Sequence, residues 1–392
     1  MMTINAMSYL KKLIPNAEFT VEMDSELDVD RLNAELDKQI SFEVIESVKQ
    51  YKSRIKLLSD LKRLFGFNTQ AKKIKKINPD LIVYLGGDDF SEYYSKIKVT
   101  VELFWSWIFS KKHKSIFLGH TMGPFTSWRK GLFSKFLSKS IILSRDELSA
   151  KHLKNDLGLN NVITSHDLAF LDLPLQERKH ILKRYDLTNN QYITLIPSGL
   201  SSHYTESHED YITGWCEIIK SILQNQKLEN KKILLFAHVI KEHEVDDRDI
   251  IEELISKIKK DNTIDSGRII TITDLLLASE ARCILGNSYF TISGRMHGTV
   301  STFQMGKPAI ALSYSVKYQG VIGGSLKRKD LVIEAKDNNL WESGKIIDEV
   351  DKKINYIVEN KINLEKEIQQ RVKVMKEELK QVIKKIVVDE HR

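Results

Sequence analysis

Apolar residues along this chain fall into two rhythms. "INAMSYLKKLIP" near the start repeats them at helical spacing, and "NAEFTVEM" then reads as a strand. Residues 42 to 65 read as one long basic helix. After the turn signal Asn78-Pro79-Asp80 comes "LIVYLGG", an apolar run with no polar interruption, and "SIFLGH" (115–120) and "SIILSR" (140–145) repeat it. Unbroken runs of this kind suit parallel strands covered on both faces. Strand, helix and strand in series predict a doubly wound α/β domain.

Residues 173–190 are more polar and punctuated and read as a linker. The alternation then restarts: "YITLIPSG", a helix near 209–225, "KKILLFAHV", a helix near 246–260, "RIITIT", a helix near 274–284, "YFTISG", a helix from about 298, and "PAIALSY". The pattern therefore predicts two Rossmann-like domains, 1–172 and 191–341, followed by charge-balanced C-terminal helices over 342–392. Two such domains place a cleft at the carboxyl ends of their strands, where open α/β sheets bind ligands.

Composition narrows the class. At 392 residues, with 42% hydrophobic and 29% charged, the chain can bury two cores. It contains no run of roughly 18 apolar residues that would span a membrane, and no charged and then apolar leader opens it. Cys216 and Cys283 form no ligand-spaced motif, and no metal constellation is visible. These features point to a cytoplasmic protein. The net charge of +7 does not by itself indicate nucleic acid. The excess is local, however: residues 49–76 hold ten Lys or Arg against the single acid Asp60, and "LFWSWIFSKKHK" (103–114) runs aromatics into a basic cluster. That combination is consistent with peripheral contact at an anionic membrane surface, on the inner face, or with solvated helices over an aromatic core.

Four strand-end loops carry the chemistry. In "LGGDDFSE" the pair Gly86 and Gly87 allows close backbone approach to a ligand. "GHTMGPF" presents His120. "SRDELSAKHL" presents Arg145, beside Asp146, which reads as a helix cap. In "TISGRMHGTV", Arg295 and His297 share one face if the strand runs on through 297, and the helix then starting at Gly298 offers free N–H groups to an anion. A guanidinium grips carboxylate or phosphate, and an imidazole moves a proton near neutrality. "HEVDD" (243–247) reads as solvated.

Taken together, "YLGGDDFSE", "HTMGPF", "SRDELSAKHLKNDLGLNNVITSHDLAF" and "CILGNSYFTISGRMHGTVSTFQMGKPAIALSYSVK" resemble, in order, the polysaccharide pyruvyl transferase family. The resemblance covers about residues 5–330 and implies the GT-B arrangement of two Rossmann-like domains facing a cleft. In two respects the chain departs from the family's pattern: its first helix is expected almost at Met1, where the pattern has a first strand and an Asn-Gly-Asp-like turn before that helix, and Gly-Gly-Gly is replaced by "GGDD".

The resemblance implies transfer of the enolpyruvyl unit of phosphoenolpyruvate to a saccharide acceptor as a pyruvate ketal, with no cofactor. Arg145 and Arg295 would then grip the donor across the cleft, with His297 as the acid. Tyr314 and Lys317 would steady the departing phosphate, and His238 and Ser198 would sit at the rim. The competing class is a GT-B glycosyltransferase with a nucleotide-sugar donor, whose pyrophosphate the same cations and helix N-terminus would suit. A non-catalytic binding relative is the third.

Overall fold

The continuous apolar runs form parallel strands in the computed structural model, which describes residues 1–36, 40–46, 71–91, 96–241 and 245–388. By internal contacts the chain divides into two units, Met1–Leu168 with Glu377–Arg392, and Ala169–Lys376.

In the first unit, the helix Met2–Leu13 leads to β1 (Phe19–Met23), which pairs in parallel with β2 (Phe42–Glu46). The expected long helix is therefore a strand over its first five residues, and residues 47–65 lie outside the described set. The main sheet has the order β3 (Leu81–Leu85), β4 (Lys114–His120), β5 (Ile141–Ser144), β6 (Val162–Thr164), with every pairing parallel. Helices Lys96–Ser110 and Arg129–Leu137 cover it, burying Val99, Leu103, Phe133 and Leu137.

The second unit holds a six-stranded parallel sheet. Its strands are β7 (Tyr192–Ile196), β8 (Lys232–Phe236), β9 (Ile269–Ile272), β10 (Thr291–Ser293), β11 (Ala309–Ser313) and β12 (Val332–Glu334), in the spatial order β12-β11-β10-β7-β8-β9. β7, β10 and β11 are buried along their whole length, which is why they carry no alternation. Residues 173–190 differ from a linker: they include the helix His180–Arg184, and Ile181, Leu182 and Leu187 join the core of this unit. The buried guanidinium of Arg282 fastens the preceding segment by donating to Ala169 O at 2.7 Å and Leu171 O at 2.8 Å.

The tail expected at 342–392 is largely one helix, Lys345–Val388, with buried Ile354, Ile357, Leu364, Ile368, Val372 and Met375 at three-, four- and seven-residue steps. It does not belong to one unit. From Glu377 onward it packs in the first, where Ile383, Ile386 and Val387 meet Leu10, Val83, Ile116, Leu118 and Leu143 around a void of about 10 Å³. Those last turns thus close one face of the four-stranded sheet. Truncating Ile383, 3% exposed, to alanine should lower urea stability by about 2–4 kcal/mol through lost burial and a residual cavity. A loss under about 0.5 kcal/mol, below even a conservative core truncation, would show that the tail end does not support this sheet.

Candidate active site

At the carboxyl ends of the second sheet, three loops converge on one carboxylate. Asp246 caps the helix Asp247–Lys260, and Asp247 follows as its first residue with no exposed surface. Its Oδ1 accepts from Gly199 N at 2.8 Å, and its Oδ2 from Val239 N at 2.8 Å and His238 N at 3.2 Å. The Oδ1 also accepts from Arg295 Nε at 3.0 Å and Nη2 at 2.6 Å. The "HEVDD" segment is therefore not solvated at its end. Asp246 and Asp247 are buried, and His243 and Glu244 lie outside the described residues.

Asp247 takes the Nε–Nη2 edge of Arg295. Nη1 has no hydrogen-bond partner among the described residues, and the side chain is 12% exposed. Burial alone would lower the Arg295 pKa, but the carboxylate outweighs it and the value rises from an already high one. The guanidinium is thus a fixed cation with one edge committed and the other turned away from its partner.

The local backbone differs from the sequence reading. β10 ends at Ser293, Arg295 is the N-cap, and the helix runs Met296–Gln304, so strand alternation does not place Arg295 and His297 on one face. Ser293 Oγ accepts from Arg295 N at 3.0 Å and donates to Arg295 O at 2.7 Å, fixing the turn. The Gly298 amide is not free for an anion, because it donates to Arg295 O at 3.1 Å. Glycine is needed there for packing, since a Cβ would lie 2.6 Å from Ile196 Cδ1 and 3.5 Å from His238 Cδ2. His297 is half-buried in the first turn of this helix.

Around this turn the other expected residues divide. Lys317 Nζ donates to Tyr314 OH at 3.0 Å, and the Tyr314 ring meets His203 edge-on at 5.2 Å. The His203 pKa is lowered, by burial first and then by Lys336, Lys317 and Arg295, so these cations share one field. Tyr204 and Tyr318 both donate to Gly294 O, at 2.5 and 2.7 Å, and pin the loop before Arg295. Ser198 is fully buried, with its N–H donating to Tyr211 OH at 2.9 Å, its carbonyl accepting from the same hydroxyl at 3.0 Å, and its Oγ accepting from Leu200 N at 3.2 Å. Burial pushes His238 down to about 4, against a raising effect from Asp247. The sequence reading missed Asp247, His203 and Tyr204. The local signal for Asp247 was an acidic pair between a strand end and an amphipathic helix.

The first unit repeats the device. Arg145, directly after β5, is 1% exposed. Its Nη1 donates to Asp167 Oδ2 at 2.8 Å and its Nε to Thr121 Oγ1 at 2.9 Å. The expected open grip is therefore an enclosed ion pair. Asp146 caps the following helix as expected, accepting from Ser149 N at 2.8 Å. Gly87 lies over Arg145: a Cβ there would be 3.8 Å from its Nη atoms. A Cβ on Gly86 would be 2.3 Å from His120 Cε1, so this glycine makes room for an imidazole. His120 is fully buried with Nε2 at 3.0 Å from Tyr84 O, and burial pushes its pKa down to about 4. Among the described residues no group of three or more His, Cys, Asp or Glu is arranged to hold a metal ion.

A family model described as polysaccharide pyruvyl transferase matches residues 1–316. The amylovoran biosynthesis protein AmsJ of Erwinia amylovora is 22% identical over 303 residues, 75% of this chain and 69% of its own. Among solved structures, the UDP-GlcNAc 2-epimerase from Neisseria meningitidis bound to UDP-GlcNAc superposes with a TM-score of 0.64 at 10% identity, covering 99% of this chain and 96% of that one. A UDP-N-acetylglucosamine 2-epimerase from Listeria monocytogenes gives 0.58 at 14% identity, with coverage of 94% and 87%. Such identities carry the fold alone, which is GT-B-like.

The buried histidines set a pH limit. Burial pushes the folded His120 imidazole down to about 4, from the ordinary 6.5 that it regains on unfolding. Between those values the unfolded chain binds more protons, so the contribution is fully present above pH 6.5 and is lost as pH falls toward 4. For this one group the loss is on the order of 3 kcal/mol. Urea titrations of His120→Asn should show a shallower acid dependence by that share. An acid slope as steep as wild type would contradict a neutral buried His120.

Proposed function

The chain belongs to the polysaccharide pyruvyl transferase family, and we propose that it moves the enolpyruvyl unit of phosphoenolpyruvate onto two hydroxyls of one sugar. The acceptor is a residue of a cell-surface polysaccharide or its lipid-linked precursor, handled on the cytoplasmic side. The relative that acts in amylovoran biosynthesis supports a polysaccharide acceptor. The observation that carries the reading is Arg295, held on one edge by Asp247 and two residues before His297 where the chain turns from β10 into the helix Met296–Gln304.

In this reaction the donor's methylene carbon takes a proton and becomes a methyl group, and a sugar hydroxyl adds to the adjacent carbon. A second hydroxyl then adds to that carbon as its bond to the phosphate oxygen breaks, giving the ketal and inorganic phosphate. One hydroxyl proton balances the methyl group and the other leaves with phosphate. We assign the open edge of Arg295 to an anionic group of the donor, and Lys317 with Tyr314 to the charge that grows on the departing phosphate. His297 is assigned as the acid. His120 and His238, each pushed down to about 4, stay neutral at pH 7 and are poor proton donors there. Arg145, already enclosed with Asp167, is assigned to shaping the Gly86–Gly87 turn rather than to gripping the donor. The alternative is a glycosyltransferase using a nucleotide sugar, for which the fold alone is equally suited.

Melting curves separate the two. Phosphoenolpyruvate at millimolar level should raise the melting temperature of the wild type by mass action. Arg295→Ala should weaken donor binding roughly ten- to a hundredfold, the loss of one charge-assisted pair. His297→Gln should keep the shift and lose turnover by about 10²–10⁴. A shift with UDP-GlcNAc and none with phosphoenolpyruvate would favour the glycosyltransferase, and near-normal turnover in His297→Gln would remove it as the acid.

A further inference from the structure

We propose that the face formed by helices Lys96–Ser110 and Arg129–Leu137 of the first unit docks on an anionic lipid bilayer surface. From Leu103 to Arg145 the sequence contains no Asp, Glu, Asn or Gln, while seven Lys or Arg stand between Lys111 and Lys139. Lys111, Lys112, Lys135 and Lys139 are exposed, and none of them has an ion-pair partner among the described residues. Apolar side chains are exposed on the same two helices: Trp128, with Arg129 5.9 Å from its ring centroid, is 72% exposed and Phe104 38%. Trp107 lies under two ammonium groups, Lys111 at 3.5 Å and Lys135 at 5.3 Å from its ring centroid.

Where β4 and β5 begin, Lys111, Lys112, Lys114 and Lys139 line a shallow depression of about 430 Å³ with Ser110 and His113. Within the first unit this is the amino-terminal end of the strands, the opposite end from the Gly86–His120 cluster. An aromatic set among lysines matches the headgroup layer of a membrane, where the rings enter the interface and the ammonium groups meet lipid phosphates. A saccharide polymer fits less well. Sugar hydroxyls are gripped by carboxylate and amide side chains, and this stretch has none. A second copy meeting this face symmetrically would bring the same positive charge and repel it. The contact rests on the first unit alone and holds or fails independently of the transfer chemistry.

Co-sedimentation of the full chain with lipid vesicles tests it. The wild type should pellet with vesicles of mixed phosphatidylcholine and phosphatidylglycerol and not with phosphatidylcholine alone, and added salt should release it. Each lysine neutralised should lower partitioning about fivefold, so Lys111→Gln with Lys135→Gln should lower it roughly twenty-five-fold. Trp128→Ser should weaken it further at an unchanged melting temperature, and Lys259→Gln in the second unit should change nothing. Equal partitioning to both vesicle types, wild-type partitioning of the Lys111 and Lys135 variant, or binding to dextran sulfate with none to vesicles would overturn the proposal.

Discussion

Asp247 is a carboxylate with no exposed surface that accepts hydrogen bonds from Gly199, His238, Val239 and Arg295. Taking a carboxylate out of water costs several kcal/mol, and only a full set of donors with an opposite charge offsets it. That requirement ties together loops that follow three different strands, β7, β8 and β10. It also fixes the Arg295 guanidinium by two nitrogens, so the remaining edge points one way without further ordering. A cation held this rigidly loses little conformational freedom when an anion arrives. The tyrosine hydroxyls on Gly294 O and the Ser293 side chain on the Arg295 backbone complete the same constraint from the other side.

The two sheets handle their arginines differently. Arg145 and Asp167 are both enclosed, so that pair holds the strand ends together and presents little charge to solvent. Arg295 keeps part of its surface exposed while Asp247 keeps none. The histidines divide along the same line. His120 lies against Gly86 and is fully enclosed, while His297 is half-buried in the first turn after Arg295. One sequence motif, an arginine after a buried strand, therefore yields a structural pair in one unit and a candidate ligand contact in the other.

The parallel strands were legible because a strand covered on both faces must be apolar throughout, as β7 and β11 are. Phe42–Glu46 was not: only Phe42 and Ile45 are partly buried, a three-residue spacing that with the following basic residues mimics a helix, and it is a strand because it pairs with β1. Arg295 and His297 stood out locally, but their relation did not, since β10 stops two residues short of Arg295. Asp247 was hidden for a different reason. Its partner lies 48 residues further on, and nothing in a polar acidic segment announces that pairing. The same distance problem made Arg145 look like an open grip when Asp167 encloses it. The C-terminal helix was readable as a helix, yet its division between two units depends on contacts with Leu118 and Leu143 that no local pattern encodes.

If a rigidly held Arg295 is the donor's cationic contact, its orientation by Asp247 must show in donor affinity. The direct measurement is titration calorimetry of phosphoenolpyruvate with wild type and Asp247→Asn at neutral pH, each checked for a cooperative melt. Asparagine keeps the size and can accept from backbone amides, but it removes the charge that holds the guanidinium. The account predicts a folded variant whose affinity falls at least about tenfold, the equivalent of one lost charge-assisted contact. A folded variant with wild-type affinity would contradict it.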